Sequence, residues 1–361
     1  MQFLKQKKRP TNLLKAGGKL GIIMALIVFS IVILFHELGH FLLAKKNGIG
    51  VTEFALGMGP TLLSFKRNET VYALKLLPLG GSCTMVGEDT DETGDNSFNA
   101  KGPWQRLSVI AAGPVFNFIM AFVFAMILLL LVGYDTPAVY KVIDGEPAAE
   151  AGMMAGDVIK AVNGKKIHTY KEFRTESMMN TSGKPMEILL ERDGEEIRTT
   201  VTPVMAENGY YRIGLYGGAR EKTGFWGTFK YTFYELKYWI TTTVRSLGML
   251  VTGRVSMNEL SGPVGIVTMI DDTYNQSAAY GWLDVFLNML NISILLSANL
   301  GVMNLIPIPA LDGGRLFFIL IEIIRGKPVP PEKEGWVHTV GFACLMVLMV
   351  FILYNDIQKL I

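Results

Sequence analysis

The chain has 361 residues, half of them hydrophobic, and its mean hydropathy of +0.32 is higher than soluble globular proteins usually reach. Its net charge of +2 is too small to indicate a nucleic-acid partner, and no basic block alternates with aromatic residues that could stack on bases. Its two cysteines, Cys83 and Cys344, form neither a disulfide framework nor a CxxC metal site. We therefore expect a membrane protein that does not bind nucleic acid.

Four long apolar stretches are candidates for membrane-spanning helices. They run over residues 20–44, 107–133, 285–306 and 337–354. Each reaches or approaches the ~20 residues that a helix needs to cross the hydrocarbon core of a bilayer. The first follows the basic letters KQKKRP, as the apolar region of a signal peptide would, but it is too long for such a region and lacks a small-residue cleavage site. We therefore interpret it as a membrane helix.

Three ionisable residues, His36, Glu37 and His40, interrupt the first stretch in the letters HELGH. Because the two histidines are four residues apart, they share one face of a helix, where neutral imidazoles can bind one Zn²⁺. Glu37 is then offset to act as a base on water at the metal. The alternative is a hydrogen-bonded polar cluster that stabilises the helix bundle. Ionisable residues within a membrane segment are costly and normally mark function, which favours the zinc site.

Residues between the first two spans and after the second span indicate sheet and a soluble insertion. Residues 50–88 alternate apolar and polar side chains around glycine-rich breaks, which predicts short strands. From about residue 137 to 204 the composition is that of a soluble domain, and the letters EPAAEAGMMAGD, VIKAVNG and MEILLERDG resemble a PDZ domain of bacterial proteases.

Residues 222–254 space Lys230, Lys237 and Arg245 about two helical turns apart, with aromatic residues between them. This pattern predicts an amphipathic helix in the lipid headgroup region. The alternative is that this helix packs on the PDZ domain or on the other spans.

A third zinc ligand is predicted at the end of the third span, in the letters NLIPIPALDGGRLFF. Asp312 is the only carboxylate in this stretch, and Pro307 and Pro309 prevent a regular helix there. Irregular backbone at membrane depth is tolerated only where it is buried in protein or lines a wet cavity. The alternative is that Asp312 caps the following helix, which would not explain a buried cap.

Taken together, HELGH, NLIPIPALDGG and the PDZ insertion between them resemble the site-2 protease family of intramembrane zinc metalloproteases. GPVFN and LSGPVGI also match segments of its bacterial PDZ-containing branch, the regulator of sigma factor protease type, and the resemblance extends from about Leu20 onward. It implies one catalytic Zn²⁺ bound by His36, His40 and Asp312, and Glu37 as general base. It also implies that Asn304 supports the substrate or the developing oxyanion.

The activity implied by the resemblance is that of an intramembrane zinc metalloendopeptidase in regulated intramembrane proteolysis. Its substrates would be the transmembrane segments of single-span proteins, such as anti-sigma factors and signal-peptide remnants. Two alternatives are a catalytically silent PDZ membrane scaffold and a zinc transporter. A silent scaffold predicts damage to HELGH or LDGG, and both are intact; a transporter predicts ligand sets along a path, whereas this chain offers one cluster.

The predicted fold is an α-helical polytopic membrane protein with four transmembrane helices, a membrane-associated β-hairpin and one inserted α+β PDZ domain. The predicted divisions are a basic tail (1–19), the first part of the membrane core (20–136), the PDZ domain (137–204), a linker with the interfacial helix (205–282) and the second part of the core (283–361).

The resemblance also implies a bacterial inner, or cytoplasmic, membrane with the PDZ domain on the extracytoplasmic side. There the domain would exclude substrates that carry intact ectodomains, and binding of a peptide ligand is the competing role. The basic tail argues for a cytoplasmic N-terminus, but lysine and arginine residues are also abundant in the first and third loops. We side with the loops and predict that the zinc site lies nearer the cytoplasm.

Overall fold

The computed structural model describes residues 16–88, 94–206, 211–254 and 261–360, so most of the predicted basic tail lies outside the described residues. The helices are α1 (Ala16–Lys46), α2 (Pro103–Val132), α3 (Pro147–Glu150), α4 (Tyr170–Met178), α5 (Phe225–Val251), α6 (Pro263–Ala278), α7 (Trp282–Leu305), α8 (Asp312–Arg325) and α9 (Pro331–Leu360). The strands are β1 (Val51–Arg67), β2 (Thr70–Met85), β3 (Tyr134–Asp135), β4 (Val139–Val142), β5 (Val158–Val162), β6 (Lys165–Lys166), β7 (Met186–Arg192), β8 (Glu195–Val201), β9 (Val204–Met205), β10 (Tyr211–Arg212), β11 (Leu215–Gly217) and β12 (Arg220–Glu221).

The chain divides into two compact units. Unit 1 combines residues 1–124 with residues 243–361, and unit 2 comprises residues 125–242. Four of the described helices, α1, α2, α7 and α9, are long and apolar enough to cross a membrane. They coincide with the four apolar stretches of the sequence, and the protein is a membrane protein as predicted.

Close helix packing in unit 1 depends on glycines of the spanning helices. A Cβ atom added at Gly39 of α1 would lie 2.3 Å from the carbonyl oxygen of Ala112 on α2, and one added at Gly301 of α7 would lie 2.8 Å from the Phe118 ring, also on α2. Small residues let helix backbones approach closely in a membrane, where no hydrophobic effect drives helices together. The HELGH face of α1 is thereby brought directly against α2.

The predicted hairpin consists of two long antiparallel strands, β1 and β2, rather than several short ones. The register shifts repeatedly along it, as β-bulges produce. At Gly81 of β2 an added Cβ would lie 2.8 Å from both Ile33 and Glu37 of α1. The missing side chain therefore lets the strand lie directly on the helix. Whether the hairpin enters the membrane stays a prediction.

In unit 1, helix α6 was not predicted, and α8 was considered only as the helix that Asp312 would cap. The third spanning helix ends at Leu305, so Asp312 lies in the first turn of the separate helix α8 and not on the span itself. The physical reason is the pair Pro307 and Pro309, which lack amide hydrogens and cannot continue α7. The predicted break was correct, but the helix that follows it adds an element. Helix α6 packs on α1 through Ile270 and Val267 in a shared apolar cluster.

Unit 2 contains a four-stranded antiparallel sheet with the order β6-β5-β7-β8. Helix α4 begins with a capping box, in which the Thr169 hydroxyl accepts from the Glu172 amide and the Glu172 carboxylate accepts from the Thr169 amide. Phe173 of α4 is buried with the inward residues of the sheet. Asp157 receives two bonds from Arg192, of 2.6 and 2.9 Å. Burial alone would raise the pKa of Asp157, but the guanidinium lowers it below its ordinary value.

The first half of α5 packs on α4 within unit 2. Glu235 is buried, binds Lys171 at 2.5 Å and accepts a 3.0 Å bond from the Trp239 indole. The hydroxyls of Tyr238 and Thr175 lie 3.0 Å apart. One face of this helix therefore packs on α4, which agrees with the alternative that the helix packs on the inserted domain. Its predicted location in the headgroup region stays a prediction.

Candidate metal centre

Three ligand atoms from two distant parts of unit 1 converge at one point. His36 Nε2 and His40 Nε2 lie 3.2 Å apart, and Asp312 Oδ2 lies 3.1 Å from the first and 3.5 Å from the second. Helical geometry brings the two histidines together, since residues i and i+4 share a face of α1. Asp312 lies in the first turn of α8. Among the described residues this is the one group of three or more His, Cys, Asp or Glu that could hold a metal ion.

His40 is held in the tautomer that a metal ligand needs. Its Nδ1 lies 2.9 Å from the Val109 carbonyl oxygen of α2, and His40 is 6% exposed. A carbonyl oxygen only accepts, so Nδ1 carries the hydrogen and donates it. The lone pair of the neutral ring is therefore on Nε2, the atom that faces His36 and Asp312.

Asn117 of α2 contacts the second imidazole. Its amide nitrogen lies 3.1 Å from His36 Nδ1, its amide oxygen has no hydrogen-bond partner among the described residues, and Asn117 itself is fully buried. A half-turn of this amide would pair the oxygen with Nδ1–H and leave the lone pair of the ring on Nε2, as zinc binding through Nε2 requires. The Ser297 hydroxyl of α7 donates a 2.8 Å bond to the Asn117 backbone carbonyl. Two spanning helices therefore hold the ring of a residue on a third.

The residues present fit a zinc ion. A tetrahedral ion with ligand bonds of about 2.0–2.1 Å separates its ligand atoms by about 3.3 Å, close to the 3.1, 3.2 and 3.5 Å measured here. Asp312 Oδ2 is buried and makes no hydrogen bond among the described residues. Three electron-pair donors that face one another without a shared hydrogen repel unless a cation lies among them. The donor set of two imidazoles and one carboxylate is also one that catalytic zinc uses.

Two ion pairs attach α8, and with it Asp312, to the rest of unit 1. Arg106 of α2 binds Glu322 at 2.5 Å, and each side chain is 14% exposed. Arg315, three residues after Asp312, binds Glu88, which follows β2. Removing one partner of an ion pair with little solvent exposure strongly destabilises a protein, because the other charge remains buried without a partner. They restrict movement of the helix that carries the third ligand atom.

Asp312 does not cap α8. The N-cap residue is Leu311, and Asp312 is the first residue of the helix itself, with its carboxylate directed at the two imidazoles. The alternative structural interpretation of this aspartate is therefore wrong. An acidic residue in the first turn is still favourable toward the helix dipole.

Glu37 lies beside the three ligand atoms but is not one of them. It is on α1 between the two histidines, and its side chain extends toward β2, next to Gly81. The backbone of Cys83 on β2 lies next to its carboxylate. This position leaves the carboxylate near the metal position without placing it on the ion, which is what a general base at such a site requires.

Asn304, near the end of α7, lies next to the same cluster. Its amide nitrogen is 3.4 Å from His36 Nε2, which is too long for a strong hydrogen bond. The amide therefore lies beside one of the atoms that could bind the metal. All five residues predicted from the sequence thus meet at one place: His36, Glu37, His40, Asn304 and Asp312.

Gly113 of α2 provides the space in which the two imidazoles meet. A Cβ atom added there would lie 2.3 Å from His40 Nε2 and 2.7 Å from His36 Cε1. In an ordinary helix interior, Gly→Ala stabilises by ~0.5–1 kcal/mol. Here we expect Gly113→Ala to displace the imidazoles and to weaken zinc binding by at least ~10-fold, an effect of the size expected when support of a ligand is lost. Competition with a chelating dye measures it.

The matched control is Gly248→Ala in α5, where an added Cβ meets nothing within 4 Å. That variant should keep the zinc affinity of the wild type. Equal zinc affinity in Gly113→Ala and Gly248→Ala would contradict the role assigned to Gly113.

The residues that contact the two imidazoles were not predicted from the sequence. Asn117 and Gly113 both belong to the segment GPVFN, which was noted as a family match but was given no role. The available signal was a polar residue within an apolar span, the same reasoning that singled out HELGH. The Val109 carbonyl carries no sequence signal, because any residue has one.

The chain is similar to known proteins along most of its length. The model of peptidase family M50 matches residues 24–348. The chain is 35% identical to the zinc metalloprotease RasP of Bacillus licheniformis, over 94% of this chain and 99% of that protein. It is 34% identical to the regulator of sigma-W protease RasP of Bacillus subtilis, over 94% of this chain and 98% of that protein. A crystal structure of the PDZ domain of an SdrC-like protein from Listeria monocytogenes is 24% identical over 23% of this chain and 86% of that chain, with a TM-score of 0.21.

A helix-borne HExxH motif that meets a distant aspartate among membrane-spanning helices defines a membrane metalloprotease. The chain belongs to peptidase family M50, the site-2 protease family. It is a zinc-dependent intramembrane protease of regulated intramembrane proteolysis, so the predicted family, activity and cofactor are confirmed.

Proposed function

We propose that this protein cleaves the transmembrane segments of single-span membrane proteins, with anti-sigma factors and signal-peptide remnants as its substrate classes. His36, His40 and Asp312 would hold the one catalytic zinc ion. The observation that supports this proposal is the convergence of their three ligand atoms, 3.1–3.5 Å apart, with Glu37 beside them. The name of the Bacillus subtilis relative, a regulator of sigma-W protease, supports the anti-sigma-factor class.

The side chains divide the chemistry among them. The ion, when bound, supplies Lewis-acid polarisation and makes water nucleophilic near neutral pH. Glu37 takes a proton from the attacking water and delivers it to the leaving amine. The amide of Asn304 donates to the oxygen on which negative charge develops, a contribution typically worth ~10²–10³ in rate. The hydrogen bonds of His36 and His40 hold the rings still, so that the ligands need no rearrangement during the reaction.

Metal removal tests the proposal on purified protein in detergent with a model single-span substrate. We expect a zinc chelator to reduce cleavage by at least ~10²-fold, because Lewis-acid stabilisation is worth several kcal/mol. Restoring one zinc ion per chain should restore the rate. Cleavage that continues in protein shown by elemental analysis to be free of metal would contradict the proposal.

We also propose a topology of four spans in a bacterial inner membrane, with unit 2 on the extracytoplasmic side and the zinc site nearer the cytoplasm. The part of unit 2 that follows α2 lies between the second and third candidate spans, so four spans would place it on the same side of the membrane as the residues before α1 and after α9. Basic residues of the first and third loops, which include Lys45, Lys46 and Arg325, support a cytoplasmic position for those loops.

Unit 2 is proposed to exclude substrates by size, and one experiment tests this role together with the orientation. A folded soluble domain is fused to a single-span substrate on either the extracytoplasmic or the cytoplasmic side of its span. We expect the extracytoplasmic fusion to be cleaved at least ~10-fold more slowly, because a folded domain cannot pass a folded barrier. The cytoplasmic fusion is the matched control. Equal rates would contradict the filter, and a reversed difference would contradict the orientation.

The two other function classes have less support. A zinc transporter needs ligand sets along a path, and within the described residues one such cluster is found, with a base next to it. A silent scaffold has no use for the neutral tautomer that the Val109 carbonyl selects in His40, with its Nε2 lone pair directed at His36 and Asp312.

A further inference from the structure

The loop that presents Asp312 is held by the last helix. Residues 306–311 join α7 to α8, and Ala310 adopts a positive φ of 73°. A non-glycine residue in this region costs ~1–3 kcal/mol and persists only where surrounding contacts enforce it. The enforcing contact is a hydrogen bond from the Ala310 amide to Nδ1 of His338 on α9, 2.9 Å long.

A second contact on the same face of α9 meets the same loop. A Cβ atom added at Gly341 would lie 2.2 Å from Cβ of Pro309. His338 and Gly341 are three residues apart and so share one face of the helix. Helix α9 therefore lies directly against the loop at both points. The His338 ring also packs on Phe318 of α8, with ring centroids 5.7 Å apart.

The far end of the loop leaves little freedom to Asp312. A Cβ atom added at Gly313 would lie 2.1 Å from the Ile306 carbonyl oxygen, so the backbone folds back on itself immediately after the aspartate. Gly313 packs against Ile306 and the Ala310 amide bonds to His338, so the backbone is held on both sides of Asp312. These contacts restrict where its carboxylate can lie. A change at Ala310 is transmitted to Asp312 through one intervening residue.

We propose that His338 is a positioning residue for the zinc ligand Asp312: its Nδ1 holds the strained Ala310 amide and so sets where the carboxylate meets the two imidazoles. This role rests on the proposed function, because it concerns the same metal centre. His338 touches neither substrate nor metal. It belongs to no ligand motif of the sequence.

Two substitutions separate the hydrogen bond from the packing of the ring. His338→Asn keeps an acceptor at the δ position and loses the ring, whereas His338→Phe keeps a ring against Phe318 and loses the acceptor. We expect His338→Phe to lower zinc affinity and kcat by ~10–100-fold, as loss of an outer-shell partner does, with KM little changed. His338→Asn should remain within about threefold of wild type. Val337→Ala, on the neighbouring exposed face of α9, is the control.

The visible spectrum of the Co²⁺-substituted protein gives a readout that a purely structural role would not change. Its ligand-field bands should shift in His338→Phe and match wild type in His338→Asn. Wild-type zinc affinity and spectrum in His338→Phe, or equal loss in both variants, would overturn the proposal. These two results concern His338 alone and would not contradict the proposed protease function. That function is contradicted only if the wild-type protein neither binds zinc nor cleaves the substrate.

A separate observation in unit 2 concerns the free edge of strand β11. The Gly214 carbonyl accepts a 2.8 Å bond from Ile143, and the Gly218 amide donates a 3.3 Å bond to Ala138, so the backbone groups of these two residues face β4. Backbone groups alternate in direction along a strand. The register shifts opposite Tyr216 and Gly217, where β4 has one extra residue, but the bonds at Gly214 and Gly218 keep the alternation along β11. The amide and carbonyl groups of Leu215 and Gly217 therefore face away from β4, toward the edge that a further strand would use.

Tyr170, the first residue of α4, lies on this edge. Its hydroxyl donates a 3.5 Å bond to the Leu215 carbonyl oxygen, and the Gly217 backbone lies close to the same hydroxyl. Cβ atoms added at Gly217 and Gly218 would lie 2.5 and 2.9 Å from its ring, so the two glycines leave just the space that the ring fills. Burial of the ring against the strand also raises the pKa of Tyr170 to about 12.

A peptide that joins a sheet edge uses the outward amide and carbonyl groups of that edge. We infer that Tyr170 closes the edge of β11 to peptides, so that unit 2 in this state is a barrier and not a peptide receptor. This inference deepens the proposed size filter, and it disfavours peptide binding, the competing role.

Hydrogen–deuterium exchange of the full-length protein, resolved to single amides, tests the closure. Tyr170→Ala should raise the exchange rate of the Gly217 amide at least ~10-fold, and Tyr170→Phe, which keeps the ring, should raise it far less. The Gly218 amide, bonded to Ala138, is the internal control. A fluorescein-labelled hexapeptide of alternating valine and threonine, which favours an extended conformation, should bind Tyr170→Ala at least ~10-fold more tightly than wild type. Equal exchange, or equal peptide affinity, in wild type and Tyr170→Ala would overturn the inference.

Discussion

Glu37→Gln is expected to reduce cleavage of a single-span substrate by ~10²–10⁴-fold, the usual contribution of a positioned general base. The variant keeps the size and shape of the side chain between α1 and β2, where Gly81 leaves room for it. Its amide can no longer take a proton from water. Because Glu37 is not among the three converging ligand atoms, zinc content should stay at the wild-type level. Single-turnover cleavage and elemental analysis of the same preparation measure both quantities.

The matched control is Glu150→Gln, an exposed carboxylate of α3 far from the cluster in sequence, which should leave cleavage unchanged. A lowered zinc content in Glu37→Gln would point to a ligand role instead of a base. Retained cleavage would remove Glu37 from the mechanism altogether.

Asp312→Asn is expected to lower zinc affinity by more than the ~10–100-fold that loss of an outer-shell partner costs. The amide occupies the same volume but brings no negative charge to the ion, and its oxygen is a weaker ligand. Cleavage should fall in parallel, because a chain without zinc lacks Lewis-acid chemistry. Chelator competition measures the affinity, and cleavage at saturating zinc then measures what the bound ion can still do.

Asp356→Asn separates loss of a ligand from loss of a buried carboxylate. Asp356 on α9 is 3% exposed and accepts bonds of 3.1 and 2.9 Å from the amides of Gly262 and Gly265 at the start of α6. Its replacement should lower the temperature of unfolding and leave zinc affinity unchanged. Wild-type zinc affinity in Asp312→Asn would show that the aspartate is not a ligand.

Much of the site could be predicted because it is local. His36, Glu37 and His40 follow one another on a single helix, and the 3.6-residue period alone decides that the imidazoles share a face and that the carboxylate is offset. The end of α7 could be predicted from nearby residues in the same way, since Pro307 cannot continue a helix. What could not be predicted is which main-chain groups meet these side chains. The Val109 carbonyl and the space at Gly113 are supplied by the packing of α2 on α1.

Elements of mixed hydropathy were the ones missed. Helix α6 carries Asp271 and Asp272 among apolar residues, and α8 is short, so neither has the long apolar run that identifies a span. Helix α5 shows the opposite difficulty. Its aromatic and basic pattern suits a headgroup position, and only the contact of Glu235 with Lys171 reveals that one face packs on α4.

Residue type and spacing within single elements were enough to predict the donor groups and the candidate spans: two imidazoles and a carboxylate on one apolar helix, an aspartate after a proline break, and segments long enough to cross a bilayer. Three features depended on how the helices pack. Asp312 reaches the imidazoles, the Val109 carbonyl selects the tautomer of His40, and the Ala310 amide before the aspartate bonds to His338. The reason is physical, because these contacts join residues far apart in the chain, and their geometry depends on how whole helices pack.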